Sequence, residues 1–314
     1  MMIEAQAGAT FALAPFHEMN WKHGQCLKTH LDSDHRPVFS VMVEKRRSPI
    51  GLPLSARHFD QLNGSNQTVS RSVARFIERP DRVKSLQDET LKRLGRNPAM
   101  NDIVESLQNC QPGDRCCGSE CGPCGRHYKI WVASQTLAYQ QSGVLSKIVT
   151  VLIKEIPVGA LSGVSLQLER DAFRRRLVRH GITACIGNLE TAYKPERRTW
   201  VLHAHLLIFG SSASALEKLR ESLPLPRAVD VGEIKNPVRQ ITYLFKFVTY
   251  YRHPSSPRPL PLPAEPLAEI LRLRRRNSFA DHLVLLGFQR RGAIMTGPAF
   301  ECLLKRQGAD VATW

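Results

Sequence analysis

Two apolar, β-branched runs, Ile182 to Tyr193 and Thr199 to Phe209, flank the polar segment Lys194-Pro195-Glu196-Arg197. A loop of that length and chemistry closes a hairpin, so an antiparallel sheet is expected at the centre of this chain. The segments around it alternate in the same way. Lys147 to Ile153 is strand-like, Leu166 to His180 is helical with Phe173 and Leu177 inward, Ser214 to Leu223 is helical, and Ala228 to Gly232 is a short strand. Asn236-Pro237 offers a cap followed by proline at the first helical position, which predicts a helix from Pro237 to Tyr251. The fold class this implies is α+β, a central antiparallel sheet with flanking helices.

The second strand carries chemistry. Residues two apart on a strand share a face, so His203 and His205 project together from an otherwise apolar run. Two imidazoles so placed can bind one divalent ion, and the alternative is a pair of core histidines satisfied by hydrogen bonds. If Tyr193 lies opposite Arg198 across the hairpin, Glu190 falls opposite Val201. It is then on the histidine face, one diagonal step from His203. A carboxylate there suits a third ligand for Mg²⁺ or Mn²⁺.

On the helix expected from Pro237, Ile241, Leu244, Phe245 and Val248 follow the spacing of a core face. Tyr243, Lys246, Phe247 and Tyr250 occupy the adjoining stripe. A phenol one turn from an ammonium suits attack on a phosphodiester, with Lys246 stabilising charge beside the Tyr243 oxygen. Packing aromatics with a lysine reaching to water would leave the same pattern.

Lys and Arg outnumber Asp and Glu by 44 to 28, a formal charge of +16, which points to a polyanionic partner and to nucleic acid before a membrane surface. Arg170, Arg174, Arg175, Arg176 and Arg179 concentrate that charge on one helix and are the expected DNA contacts. The longest uncharged central run, Ile130 to Ser146, carries Gln, Ser and Thr and does not read as a membrane span. No export signal is visible, so the expected compartment is the cytoplasm and the eight cysteines are expected to be reduced. Five of them, Cys110, Cys116, Cys117, Cys121 and Cys124, crowd one short segment in which Cys121-Gly-Pro-Cys124 is a zinc-binding turn. Cys110 and Cys117 compete for the fourth position, with His127 behind them. A redox pair is the rival reading, but it has no use for the other cysteines.

The chain is thus expected to run as a poorly defined region at 1–70, then a basic helical segment with the cysteine cluster at 71–130. A core at 131–253, a proline-rich linker at 254–266 and a basic tail at 267–314 follow.

Over about residues 110–253 the sequence resembles the HUH endonucleases, specifically the replication initiators of rolling-circle plasmids. His203-Ala204-His205 is similar to their paired-histidine strand, and Tyr243-Leu-Phe-Lys246 matches the earlier tyrosine and the lysine of their helix motif. Lys147 to Ile153 and Gly187 to Tyr193 resemble the strands before the histidines, and Cys116, Cys121 and Cys124 resemble a cysteine cluster found before the nuclease core. The resemblance implies a divalent Mg²⁺ or Mn²⁺ on His203, His205 and Glu190, and structural Zn²⁺ on the cysteines. It further implies nicking of a single-stranded or hairpin origin by Tyr243, leaving a 5′-phosphotyrosine and a free 3′-OH that primes replication with a host helicase and polymerase. One position departs from the pattern: Phe247 stands where a second tyrosine is usual. That leaves Tyr243 as the nucleophile, or Tyr250 or Tyr251 beyond it, or else a zinc-containing DNA-binding regulator without cleavage. A related transposase or relaxase would share the chemistry.

Overall fold

The computed structural model describes three strands within residues 20–42 and residues 67–297, with breaks at 96, 112–114, 142–144, 224–228, 248, 254, 257 and 292–293. The chain divides into two units, residues 1–50 and 51–314. The first contains an antiparallel meander of β1 (Asn20–Lys22), β2 (Gln25–Leu31) and β3 (Pro37–Met42). The sequence suggests loose loops there, because strands this short give too few repeats for a period to show. The remaining residues before Gln67 lie outside the described ones, as do Arg96, Val248, Pro254, Pro257 and the chain beyond residue 297.

In the second unit the basic segment folds as α1 (Gln67–Ala74), α2 (Pro80–Leu94) and α3 (Asn101–Gln108), broken where its prolines require. Asn97 accepts a hydrogen bond from the Ala99 amide, and Pro98 opens a single 3₁₀ turn between α2 and α3. α4 (Gly122–Gln140) then crosses the expected boundary at residue 130 without a break, so one helix carries Cys124, with Cys121 as its N-cap, and buries Trp131, Val132 and Leu137. The core follows as β4 (Ser146–Pro157), α5 (Leu166–Arg179), β5 (Cys185–Lys194), β6 (Thr199–Phe209), α6 (Ala213–Glu221) and β7 (Val229–Gly232). After it come α7 (Pro237–Tyr243), β8 (Tyr250–Tyr251), β9 (Leu260–Pro261), α8 (Ala264–Arg276), α9 (Phe279–His282) and β10 (Leu283–Leu286). A two-stranded ribbon of β11 (Gln289–Arg291) and β12 (Ile294–Thr296) ends the described chain.

Five strands form one antiparallel sheet in the order β10-β5-β6-β4-β7. β6 is central and buried from Trp200 to Phe209, which is why its run is apolar on both faces apart from the histidines. The fold is therefore α+β with an antiparallel sheet and flanking helices. Among the described residues no helix is long and apolar enough to cross a membrane.

Four expectations need correction. Tyr193 pairs with Trp200 and Glu190 with His203, two residues from the expected register. The four-residue loop sits one position later than the sequence suggests, at 195–198, because Lys194 pairs with Thr199 and Arg198 takes a left-handed turn at φ 48°. A slip of two keeps every side chain on its face, so Glu190 still joins the histidines, now directly opposite one of them.

The tyrosine helix stops at Tyr243 instead of Tyr251. Beyond it the sequence is aromatic and β-branched, which suits extended backbone, and Tyr250–Tyr251 pairs with Leu260–Pro261. Tyr250 therefore does not share a helical stripe with Tyr243. The proline-rich segment is no free linker. It folds back as β9, buries Leu262 and starts α8 at Ala264.

The basic tail is likewise part of the core. α8 buries Leu267, Ile270, Leu271 and Leu273, and β10 forms an edge of the sheet against β5. Glu269 of α8 accepts hydrogen bonds from the Gly159 and Leu161 amides at 2.9 and 2.7 Å and from the Trp200 indole at 2.8 Å. This one carboxylate ties the helix to β6 and to the turn after β4.

Candidate metal centre and its tyrosine

The β5–β6 pairing builds the site. Gly187 is required beside it, because a Cβ there would lie 2.1 Å from the His205 carbonyl oxygen. Glu190 and His203 sit opposite each other, and His205 lies two residues along the same face. Their functional atoms converge. His203 Nε2 is 3.1 Å from His205 Nε2, and Glu190 Oε2 lies 3.4 and 3.3 Å from the two nitrogens. All three residues are buried, at 5–6% exposure.

The outer ring nitrogens show what the inner ones carry. His203 Nδ1 lies 3.2 Å from the Val201 carbonyl, which accepts only, so Nδ1 holds the proton of the neutral ring and Nε2 presents a lone pair. His205 Nδ1 is 3.0 Å from the Thr150 hydroxyl. Burial pushes His205 below the usual imidazole range, with the Glu190 carboxylate opposing that fall. For Glu190, burial alone would raise the carboxyl. The His203, His205 and Lys246 side chains outweigh it and hold the group well below the ordinary carboxylate range. Glu190 Oε2 is buried without a hydrogen-bond donor.

An anionic oxygen gathered with two imidazole nitrogens in a buried cluster suits a cation. Neighbouring ligands on an octahedral Mg²⁺ or Mn²⁺ at about 2.1 Å stand about 3.0 Å apart, close to the separations here. Glu190, His203 and His205 therefore fit a divalent metal ion.

Tyr243 stands at the end of α7 with its ring 5.4 Å from that of His205. Its hydroxyl is 2.6 Å from Lys246 Nζ, which lies 3.7 Å from Glu190 Oε2. Tyr243 is 54% exposed, so the buried cluster meets solvent through its tyrosine. Tyr250, 39% exposed, lies in β8, and burial pushes its phenol up. Phe247 turns to the protein, its ring within 5.7 Å of Tyr128, 5.5 Å of Phe279 and 5.0 Å of His282.

Two residues beside this site come from the supposed tail. Arg274 is 4% exposed with its guanidinium 5.5 Å from the Phe247 ring, and burial pushes it down to about 10 against the pull of Glu190 and Glu120. His282 donates from Nδ1 to the Leu189 carbonyl, next to Glu190. No local pattern marks either residue, since both reach the sheet only through long-range packing.

Not all the basic helix faces outward. Arg170 is held by the Ala280 carbonyl and by Asp171 and Asp281, so it is a packing residue and not a free DNA contact. Arg176 is half-buried, while Arg174, Arg175 and Arg179 are exposed.

The cysteine cluster also resolves. Cys110, Cys116, Cys121 and Cys124 bring their sulfurs together, with separations of 3.4 Å for Cys110–Cys121, 3.7 Å for Cys110–Cys124 and 3.8 Å for Cys116–Cys124. Four sulfurs about 2.3 Å from a tetrahedral zinc are about 3.8 Å apart, so the set fits that ion. Cys117 is excluded. Its backbone turns left-handed at φ 55° and its thiol points to the Arg115 carbonyl. His127 is not in the set either, and burial lowers it to about 4.

The chain is thus an antiparallel α+β protein with two candidate metal centres, one of cysteines and one of two histidines and a glutamate. Compared with family models, curated proteins and solved structures, it matches none.

Proposed function

We propose that this protein is a metal-dependent DNA-nicking and strand-transferring enzyme, a replication initiator of the rolling-circle plasmid type in the HUH class. The observation that carries the reading is the placement of Tyr243 and Lys246 at the exposed mouth of the Glu190–His203–His205 cluster. Glu190, His203 and His205 would hold a divalent Mg²⁺ or Mn²⁺, which would supply polarisation of a scissile phosphate. The Tyr243 oxygen attacks phosphorus; the new O–P bond replaces the bond to the 3′ oxygen, and the proton lost by the phenol ends, through solvent, on that departing oxygen. Lys246 stabilises the negative charge on the phenol oxygen, and Glu190 holds Lys246 in place. The product is a 5′-phosphotyrosine and a free 3′-OH able to prime a host polymerase behind a helicase. The four cysteines hold Zn²⁺ as a structural ion beside this core.

The Phe247 environment supports a mechanism with one tyrosine. Its ring is spent on the Tyr128–Phe279–His282 cluster, so Phe247→Tyr adds a hydroxyl to packing and not a second nucleophile. The test is to incubate the protein with labelled single-stranded and hairpin DNA and Mn²⁺, then map any covalent adduct. The expected adduct lies on Tyr243, vanishes in Tyr243→Phe, His203→Ala and His205→Ala, and survives in Tyr250→Phe. If no tyrosine carries DNA under any metal, the zinc-containing DNA-binding regulator becomes the better account.

A further inference from the structure

The sheet face that carries the candidate metal ligands and Thr150 holds one more buried polar side chain. Asn188 precedes Glu190 by two residues on β5, so it shares that face, and it lies directly opposite His205. It is 0% exposed, and neither its Oδ1 nor its Nδ2 has a hydrogen-bond partner. Its other neighbours on this face are apolar: Ile186 on β5, Leu207 on β6 and Leu283 on β10. A leucine of the same size would spare the cost of burying the amide unpaired. The polar groups beside it are those of His203, His205 and Glu190, whose functional atoms point at one another.

We infer that Asn188 is a positioning residue of this centre, its carboxamide hydrogen-bonding a water carried by the cation that Glu190, His203 and His205 bind. The inference rests on the metal-centre reading. The amide lies nearer the sheet than the imidazole Nε2 atoms, because an asparagine side chain is shorter than a histidine, so contact through water suits it better than direct ligation. Mg²⁺ and Mn²⁺ keep several waters, and each donates to an acceptor such as Oδ1. Groups that orient a metal's ligands typically change affinity by about ten- to a hundredfold when removed.

The test measures binding and not nicking. Zinc-replete protein is titrated with Mn²⁺ while free Mn²⁺ is followed by electron paramagnetic resonance; the hard ion leaves the thiolate site alone. Asn188→Leu is expected to bind Mn²⁺ about ten- to a hundredfold more weakly than wild type. Its thermal midpoint without Mn²⁺ should be equal or higher, since the unpaired amide is gone. Asn188→Asp keeps an acceptor and should hold Mn²⁺ at least as tightly as wild type. Should the leucine variant not fold, Asn188→Ala carries the same expected loss. An Asn188→Leu or Asn188→Ala variant that folds and binds Mn²⁺ like wild type overturns the role of Asn188 and leaves the centre standing. Wild type that binds Mn²⁺ no better than His203→Ala overturns the centre, and the role of Asn188 with it.

Discussion

Acid should unfold this protein through His282 before it reaches the ordinary carboxylates. His282 is 4% exposed, with Nδ1 3.2 Å from the Leu189 carbonyl and Nε2 3.5 Å from the Ser119 hydroxyl. Burial, with help from Arg274, pushes the imidazole from 6.5 down to about 4, against the opposing pull of the Leu189 carbonyl, Asp281 and Glu190. The unfolded chain therefore takes up a proton below pH 6.5 that the folded chain refuses until about pH 4. Stability is full above the unfolded value and falls as pH drops through this window. Between about pH 7 and pH 5 the linkage amounts to about 2 kcal/mol. Urea unfolding of zinc-saturated protein at both pH values measures the loss. His282→Gln keeps a donor for Leu189 but cannot titrate, so its loss should be smaller than wild type by about that amount. Parallel losses in the two proteins would refute the argument.

Three further outcomes follow from the geometry. Purified reduced protein should hold about one zinc per chain, and Cys121→Ser with Cys124→Ser should release it and lower the thermal midpoint, whereas Cys117→Ser should do neither; metal analysis checks both. Glu269→Ala leaves the Gly159, Leu161 and Trp200 donors without their acceptor, and urea unfolding should show a loss of at least about 3 kcal/mol. Affinity for single-stranded DNA should fall steeply with salt, and Arg175→Glu with Arg179→Glu should flatten that dependence while Arg170→Ala changes it little; a salt titration of the three proteins decides.

The hairpin and its ligand face were legible because strand alternation survives an error of register: Glu190 reached His203 although the loop was misjudged. The cysteine centre was legible as a cluster, but sequence order could not choose between Cys110 and Cys117. A left-handed backbone at Cys117 decided it. The helix from Pro237 was legible at its cap and not at its end, where extended pairing of Tyr250–Tyr251 overrode the helical spacing. What stayed hidden was long-range. Arg274 and His282 sit in a segment read as a basic tail, Arg170 in a helix read as free, and Asn188 in a strand position that spacing alone does not distinguish. Each acquires its place from residues about a hundred positions away.

The edge strand β10 makes the candidate site a late event in the life of the chain. Leu283 pairs with Asn188 across a separation that spans most of the sheet, α7 and the proline-rich return. A nascent chain that has emerged only as far as Tyr251 carries all three histidine-centre ligands, Tyr243 and the four clustered cysteines. It still has β5 as an open edge, ready to pair with any other exposed strand. A product truncated at the proline-rich segment is therefore expected to aggregate instead of surviving as a smaller folded protein. Arrival of β10 thereby becomes a checkpoint on the assembly of the candidate metal centre.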